Sequence, residues 1–472
     1  MLLPLTIVAF LSSQIIARDH DYCYADDDNP YLYMATKTAY QFVHGGKTRY
    51  QTIPNCNPVQ IWMLARHGTR YPKKSTITKL HTLPKLRDQI IYNHEIRGFG
   101  NLCDKDLKNL QSWNSIQNLT EDMAQYLTVQ GEEDLKLLAR RLQTNFPELL
   151  QPSAANITST NYKFRSTDSQ RTKASLTSFM HGLFGSSNAV TPEHTPANDT
   201  LLKAYKVCDS YQETLNDPSV FEESSKFGNG IEIENLLHNV SRRLGFRYNI
   251  TTTSVGLMYD MCRYEKAWNV TKVSPWCAVF TVDELQILEY QEDLYYYYYT
   301  GPSREINARV GCPPLQDMFQ HFQKLEGSEY SHQPKGIFYF THSGSLQTTM
   351  TALGIAKDKV PLTASNYKEM SKRLWRTSEI GSFATNIVAV FYKCTTSDSP
   401  NKVMFYVAEK PLLFQGCDVG LCDWEYLKNK LGKEAFECSL DFCWDGSGAT
   451  SLINGSLGIL LFPALTLLFL GR

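Results

Sequence analysis

In the stretch Arg66-His67-Gly68-Thr69-Arg70-Tyr71-Pro72, two guanidiniums flank one imidazole within five residues. Arginine offers a rigid fork of donors matched to phosphate oxygens and keeps its charge at any ordinary pH. An imidazole between two such cations is held less basic by like-charge repulsion, so it stays neutral and nucleophilic at lower pH than a free histidine. The chemistry that suits this arrangement is attack by His67 on a phosphorus atom gripped by Arg66 and Arg70. Any one of the eleven histidines taken alone reads better as a satisfied structural residue. A pattern setting Arg, His, Gly, Arg and Pro at these spacings is different, since at roughly 5% usage per residue it recurs by chance on the order of once in several million windows.

The elements that must position these groups can be read on either side. The apolar run Ile61-Trp62-Met63-Leu64-Ala65 leads straight into the cluster, and Gly68 and Pro72 end regular structure behind it. The run is short enough for a buried strand, and in an open α/β sheet ligands gather at the carboxyl ends of strands. A second run, Gly336-Ile337-Phe338-Tyr339-Phe340-Thr341, ends in His342 in the same way. A protonated His342 there would stabilise charge on the equatorial oxygens of a reacting phosphate. After Thr128, apolar residues Leu135, Leu138, Leu142 and Phe146 keep helical spacing, with acidic residues early and Arg140-Arg141 late. The turn around Ser166-Thr167-Asp168-Ser169 precedes a helix packed through Phe179, Met180 and Leu183; its small hydroxyl residues are predicted to cap that helix, whose free amides suit phosphate. Lys73 and Lys74 either widen a positive mouth for a polyanion or form a solvated face. The five tyrosines at 295–299 cannot all face one way and are predicted to be shared between core and surface.

The 66–72 run resembles the signature of the histidine acid phosphatases and is most similar to that of the multiple inositol polyphosphate phosphatases. The Leu127-Thr128-Val129-Gln130-Gly131 opening resembles a helix near the start of that fold. The segment 162–175 is similar to the family segment that supplies a third phosphate-gripping arginine, which falls on Arg171; Arg165 is assigned to substrate contact. Further likeness lies in Cys312-Pro313-Pro314-Leu315, Lys357-Asp358-Lys359-Val360-Pro361 and Ala408-Glu409-Lys410-Pro411, so it runs from 66 to 411 with a weak middle. The resemblance implies an α/β fold, a mixed sheet flanked by helices with an inserted, mainly helical cap. It implies a phosphohistidine on His67, with Arg66, Arg70, Arg171 and His342 holding the phosphoryl group. Inositol hexakisphosphate, its lower esters and bisphosphoglycerate are the implied substrates, with no metal or organic cofactor.

One departure bears on mechanism. In that family the distal histidine is followed by Ala-Glu or by Asp, which protonates the departing oxygen, whereas this chain reads His342-Ser343-Gly344-Ser345. Positioned general-acid catalysis contributes roughly 10²–10⁴-fold. A neighbouring substrate phosphate, water at acid pH, or a carboxyl group from elsewhere in the fold are three ways to replace it. A glutamate at 344 would restore the acid unless Gly344 needs a positive φ. The rival to an enzyme is a cell-surface polyphosphate-binding protein that kept the phosphate clamp and lost turnover.

A chain of 472 residues exceeds the size of a single core. The expected division is a signal peptide over 1–17, an α/β domain over 18–195, a helical cap over 196–330, the rest of the α/β domain over 331–445 and an anchor signal over 446–472. Net charge is −1, which argues against a nucleic-acid partner. An apolar run at 2–11 before Ala17 reads as a secretory leader. The twelve cysteines read as a disulfide framework of open connectivity, with the arm before β-structure pinned by Cys23 or Cys56. Sequons at Asn118, Asn156, Asn198, Asn239, Asn249 and Asn269 point the same way. The small residues 446–449, a polar spacer and the apolar tail 457–470 match a glycolipid (GPI) anchor signal better than a spanning helix, placing the chain on the outer leaflet of the plasma membrane.

Overall fold

A computed structural model of the chain describes residues 23–24, 32–46, 52–327, 330–395 and 399–444; the expected leader and anchor signal lie outside them. Seven strands form one mixed sheet: β1 (Cys56–Arg66), β2 (Tyr162–Ser166), β3 (Gly336–Thr341), β4 (Asn386–Cys394), β5 (Asn401–Val407), β6 (Lys410–Pro411) and β7 (Leu421–Asp423). The order is β2-β3-β1-β4-β5-β6, with β7 pairing β5. β2, β3 and β1 run parallel, and β4 and β5 continue the sheet antiparallel.

β1 is central, and its apolar run does not alternate because both of its faces are covered. Trp62 and Leu64 enter one core; Ile61, Met63 and Ala65 enter the other. Helices α1 (Val129–Asn145) and α2 (Gln170–Phe184) cover the second face, and α1 is capped by Thr128, whose hydroxyl accepts from the Gly131 amide at 3.1 Å. The expected hydroxyl cap of α2 takes another form: Ser169 accepts no backbone amide, and its hydroxyl lies 2.8 Å from that of Thr172.

The first face carries a thick helical layer drawn from two stretches of chain. Between β2 and β3 the described residues form helices joined by loops, among them α3 (Thr200–Val207), α4 (Thr252–Trp268), α5 (Val282–Tyr299) and α6 (Cys312–Gln323). The helices Lys74–Leu80, Leu83–Glu95 and Asp104–Gln111 share this core, with Trp113 set edge-on to Trp276 and Asn101 bonded to the Arg243 carbonyl. Of the tyrosine run, 295, 297 and 299 are buried and 296 and 298 half-buried. Buried ion pairs lock α5 to the loop before β4: Arg373 bonds Asp293 at 2.6 Å and Glu289 at 2.9 Å, and Thr377 bonds Asp293 through its amide at 2.7 Å.

All twelve cysteines are paired, as Cys23–Cys103, Cys56–Cys394, Cys208–Cys443, Cys262–Cys277, Cys312–Cys438 and Cys417–Cys422. The arm is thus pinned at both Cys23 and Cys56. Cys56–Cys394 spans 338 residues and ties the start of the central strand to the end of its neighbour. Removing it with the Cys56→Ser/Cys394→Ser pair is expected to cost roughly 2–5 kcal/mol. Chemical denaturation checks this, and an unchanged midpoint would show that strand pairing alone holds β1 against β4.

Candidate active site

Three parallel strands end side by side and each delivers chemistry. Arg66 pairs with Thr341 and Ser166 with Phe340, so His67, His342 and Thr167 follow at one level. The His67 amide donates to the Thr341 carbonyl at 2.9 Å, and that of Thr167 to Phe340 at 3.0 Å. The loop after β1 then passes very close to α1. A β-carbon on Gly131 would lie 2.2 Å from the Thr69 carbonyl oxygen, and one on Gly68 2.5 Å from that of Gly131. Two glycines are therefore required for the loop to seat. The Gly68 amide donates to the Ser175 hydroxyl at 3.0 Å, fixing the loop to α2 as well.

His67 is almost wholly buried. Its Nδ1 lies 2.8 Å from the Gly68 carbonyl, which can only accept, so Nδ1 carries the proton and Nε2 presents a bare lone pair. Burial first, then Arg66, Arg171, His342 and Arg70, hold its pKa well below the ordinary value. Arg66 is buried too, its Nη1 donating to the carbonyls of Thr36 at 2.5 Å and Gly381 at 2.6 Å, with Phe383 stacked beneath. Desolvation and the charge of Arg70 bring Arg66 down to about 10. Arg70 sits nearer the opening, its Nη1 donating to the Tyr71 carbonyl at 2.7 Å and to the Tyr264 hydroxyl at 3.4 Å.

His342 stands edge-on to His67, ring centres 5.6 Å apart. Its Nδ1 accepts from Arg171 Nη2 at 3.2 Å, and its Nε2 faces the Thr167 hydroxyl at 3.0 Å. Since a guanidinium only donates, the ring without bound phosphate is the neutral Nε2–H form. The cause is burial together with Arg171, Arg66, Lys203 and Arg70, which hold its pKa well below the usual value. Arg171 is itself brought down to about 10 by burial and by Arg70.

The remaining basic residues separate. Lys73 enters the cluster: among the described residues its buried Nζ has no hydrogen-bond partner, and burial plus Arg70, Lys37, Lys206 and Arg171 bring it to about 8. Lys74 turns away into an exposed pair with Glu121 at 2.9 Å. Arg165 is committed elsewhere, which corrects its assignment to substrate contact. β2 alternates, sending Tyr162 and Phe164 into one core and Arg165 to the opposite face, where its Nη2 bonds buried Asp199 at 2.5 Å. Asp199 also caps α3 through the Leu202 amide at 3.0 Å, so the pair seats the helix that carries Lys203 and Tyr205.

Further groups reach the site from distant segments of the chain. Thr36 and Lys37 come from the arm, Tyr264 from α4, and Glu292 and Tyr296 from α5. Glu292 accepts from Lys37 at 3.0 Å and from Arg263 at 2.6 Å, and bonds the Thr36 amide at 3.2 Å. Those cations hold it as a carboxylate, well below the usual range despite burial. No local pattern marks such residues, because each owes its place to packing between distant segments.

Residues 59–408 match the family described as the histidine phosphatase superfamily, branch 2. The chain is 39% identical over 464 residues to multiple inositol polyphosphate phosphatase 1 of Drosophila melanogaster, covering 97% of each. It is 29% identical over 427 residues to the human protein of that name, covering 84% of this chain and 85% of the relative. Among solved structures it superposes on the phytase of D. castellii with TM-score 0.67 at 17% identity, covering 95% and 98% of the two chains. The Bifidobacterium longum multiple inositol polyphosphate phosphatase, solved with inositol hexasulfate, gives TM-score 0.62 at 14% identity over 85% and 97%. The chain belongs to the second branch of the histidine phosphatase superfamily, and it is a phosphoric monoester hydrolase. Within that branch its sequence falls with the multiple inositol polyphosphate phosphatases.

The neutral histidines have a measurable consequence. Well above pH 6.5 both rings are neutral in folded and unfolded chains alike and contribute no pH dependence. Below it the unfolded chain takes up protons that the buried rings refuse, so stability falls. From about pH 7.5 to about pH 5.5 the unliganded protein is expected to lose stability more steeply than a His67→Gln/His342→Gln variant. Denaturant melts at the two pH values check this, and equal slopes would mean that the rings titrate normally.

Proposed function

We propose that the chain hydrolyses inositol polyphosphates, from the hexakisphosphate downward, and bisphosphoglycerate, by way of a phosphohistidine on His67. The observation that carries this reading is the bare Nε2 of a neutral, buried imidazole set among three guanidiniums. Nε2 attacks phosphorus and the ester P–O bond breaks, while Arg66, Arg70 and Arg171 donate to the phosphoryl oxygens. A phosphate dianion between Arg171 and His342 adds negative charge beside the ring, which favours an imidazolium at His342. Water then attacks the phosphohistidine and frees the ring. Lys73, whose buried Nζ has no hydrogen-bond partner among the described residues, supplies a further cation to substrates with several phosphates.

The same proposal places the enzyme outside the cell on a glycolipid anchor. Complete cysteine pairing supports an oxidising compartment. Of the sequon asparagines Asn118, Asn156, Asn198, Asn239, Asn249 and Asn269, all but half-buried Asn269 are exposed, as glycan acceptors must be. Among the described residues no helix is long and apolar enough to cross a membrane.

His67→Ala is expected to abolish phosphate release from inositol hexakisphosphate while the ligand still binds, because the arginines that carry affinity remain. Calorimetry beside a phosphate-release assay separates the two, and wild-type binding without release would favour the non-catalytic rival. For the anchor, phosphatidylinositol-specific phospholipase C is expected to release the mature protein from intact cells. Failure to do so, where a known anchored protein comes off, would refute it.

A further inference from the structure

The absent carboxylic acid leaves the departing oxygen without an evident proton donor, and the structure shows what stands in its place. Gly344 has no positive φ; it lies in the first turn of α7 (Ser343–Ala352), directly after His342. The obstacle to a side chain there is Tyr205. A β-carbon on Gly344 would lie 2.4 Å from one carbon of the Tyr205 ring and 2.7 Å from Cζ, which bears the hydroxyl. A glutamate at 344 therefore displaces this ring rather than simply restoring an acid, which corrects that expectation.

Tyr205 is held in this place. Its helix α3 is seated by the Arg165–Asp199 pair and by the Thr341 hydroxyl, which donates to the Leu202 carbonyl at 2.6 Å. Its own carbonyl accepts from Gln212 at 2.6 Å, and Cys208 just beyond is bonded to Cys443. The residue is buried, and among the described residues its hydroxyl has no hydrogen-bond partner. Arg171 and Arg66 lie within electrostatic reach of it.

The other groups are worse placed. Asp134 lies behind the loop, fully buried, and accepts from Thr69, Gln41 and Gln130. Glu292 is held as a carboxylate by Lys37 and Arg263. The Tyr264 hydroxyl is engaged by Arg70, and Tyr296 faces Thr36.

We propose that the Tyr205 hydroxyl, on the ring packed over Gly344, is the proton donor to the departing ester oxygen. This rests on the phosphatase reading above. As the P–O bond breaks, the alkoxide takes the phenolic proton and leaves as the alcohol, and Arg171 and Arg66 face the resulting tyrosinate. In the second half-reaction the tyrosinate takes a proton from the water that attacks the phosphohistidine, which returns phosphate, neutral His67 and the phenol. Burial outweighs the pull of the two arginines and keeps the phenol protonated through the neutral range, so the donor is loaded before each turnover.

Tyr205→Phe retains the ring over Gly344 and removes only the hydroxyl. In the purified chain it is expected to lower kcat on inositol hexakisphosphate by about 10²-fold or more, with KM little changed. Its kcat on p-nitrophenyl phosphate, whose leaving group needs little protonation, should hardly move. Gly344→Ala, which pushes the ring aside, should show the same selective loss. A folded Tyr205→Phe enzyme that keeps the wild-type ratio of the two rates, or loses both equally, would overturn the proposal and leave the phosphatase reading intact. A wild type that releases phosphate from neither ester would overturn both.

Discussion

Confining like charge away from water is the constraint to which the rest of the structure answers. Arg66, Arg70, Arg171 and Lys73 converge on one imidazole pair, and Arg66 and Lys73 are desolvated enough to be lowered to about 10 and about 8. Such a cluster repels itself and would disperse from a flexible loop. Here it is held by groups that accept without adding much charge: the carbonyls of Thr36, Gly381 and Tyr71, and the neutral nitrogen of His342. The charge left unbalanced is what an anionic phosphoryl group would complete.

The frame that does this is spread across the chain. The register of β1 on β3 sets the two histidines level, and the close approach of Gly68 to Gly131 fixes the loop between them. The arm reaches in from one side, with Glu292 of α5 bonded both to Thr36, which holds Arg66, and to Arg263 of α4. Buried Asp293 and Glu289 of α5 in turn grip Arg373 just upstream of Gly381, the other support of Arg66. Pairs of this kind stabilise weakly on balance, but losing one partner leaves an uncompensated buried charge, which makes them effective at holding one arrangement.

Gly344 and Tyr205 extend the same logic to the leaving-group side. A carboxylate beside this cluster would be pulled toward ionisation by the neighbouring cations, and so would need a special environment to remain an acid. A phenol needs none, since its ordinary pKa already lies far above neutrality. It is large and fills the space above a residue that must then lack a side chain, so the glycine and the tyrosine form one unit although 139 positions separate them.

Legible in the sequence were the two strand-to-histidine runs, the helix after Thr128 and the grouping of Arg66, His67 and Arg70, because each is a local pattern of residue type and spacing, whereas Arg171 was reached only through the family resemblance. The sequence also showed that a carboxylic acid is absent after His342, since that too is local. Only the tertiary structure decided that His342 is neutral, because its protonation depends on Arg171 and on burial, neither of which is written beside it. Tertiary packing likewise sent Lys73 inward and Lys74 to Glu121, and turned Arg165 away to Asp199, since neighbours in sequence face differently on a strand or loop. Thr36, Tyr205 and Glu292 were illegible for the same reason: they lie in segments with no pattern of their own and reach the site only through folding.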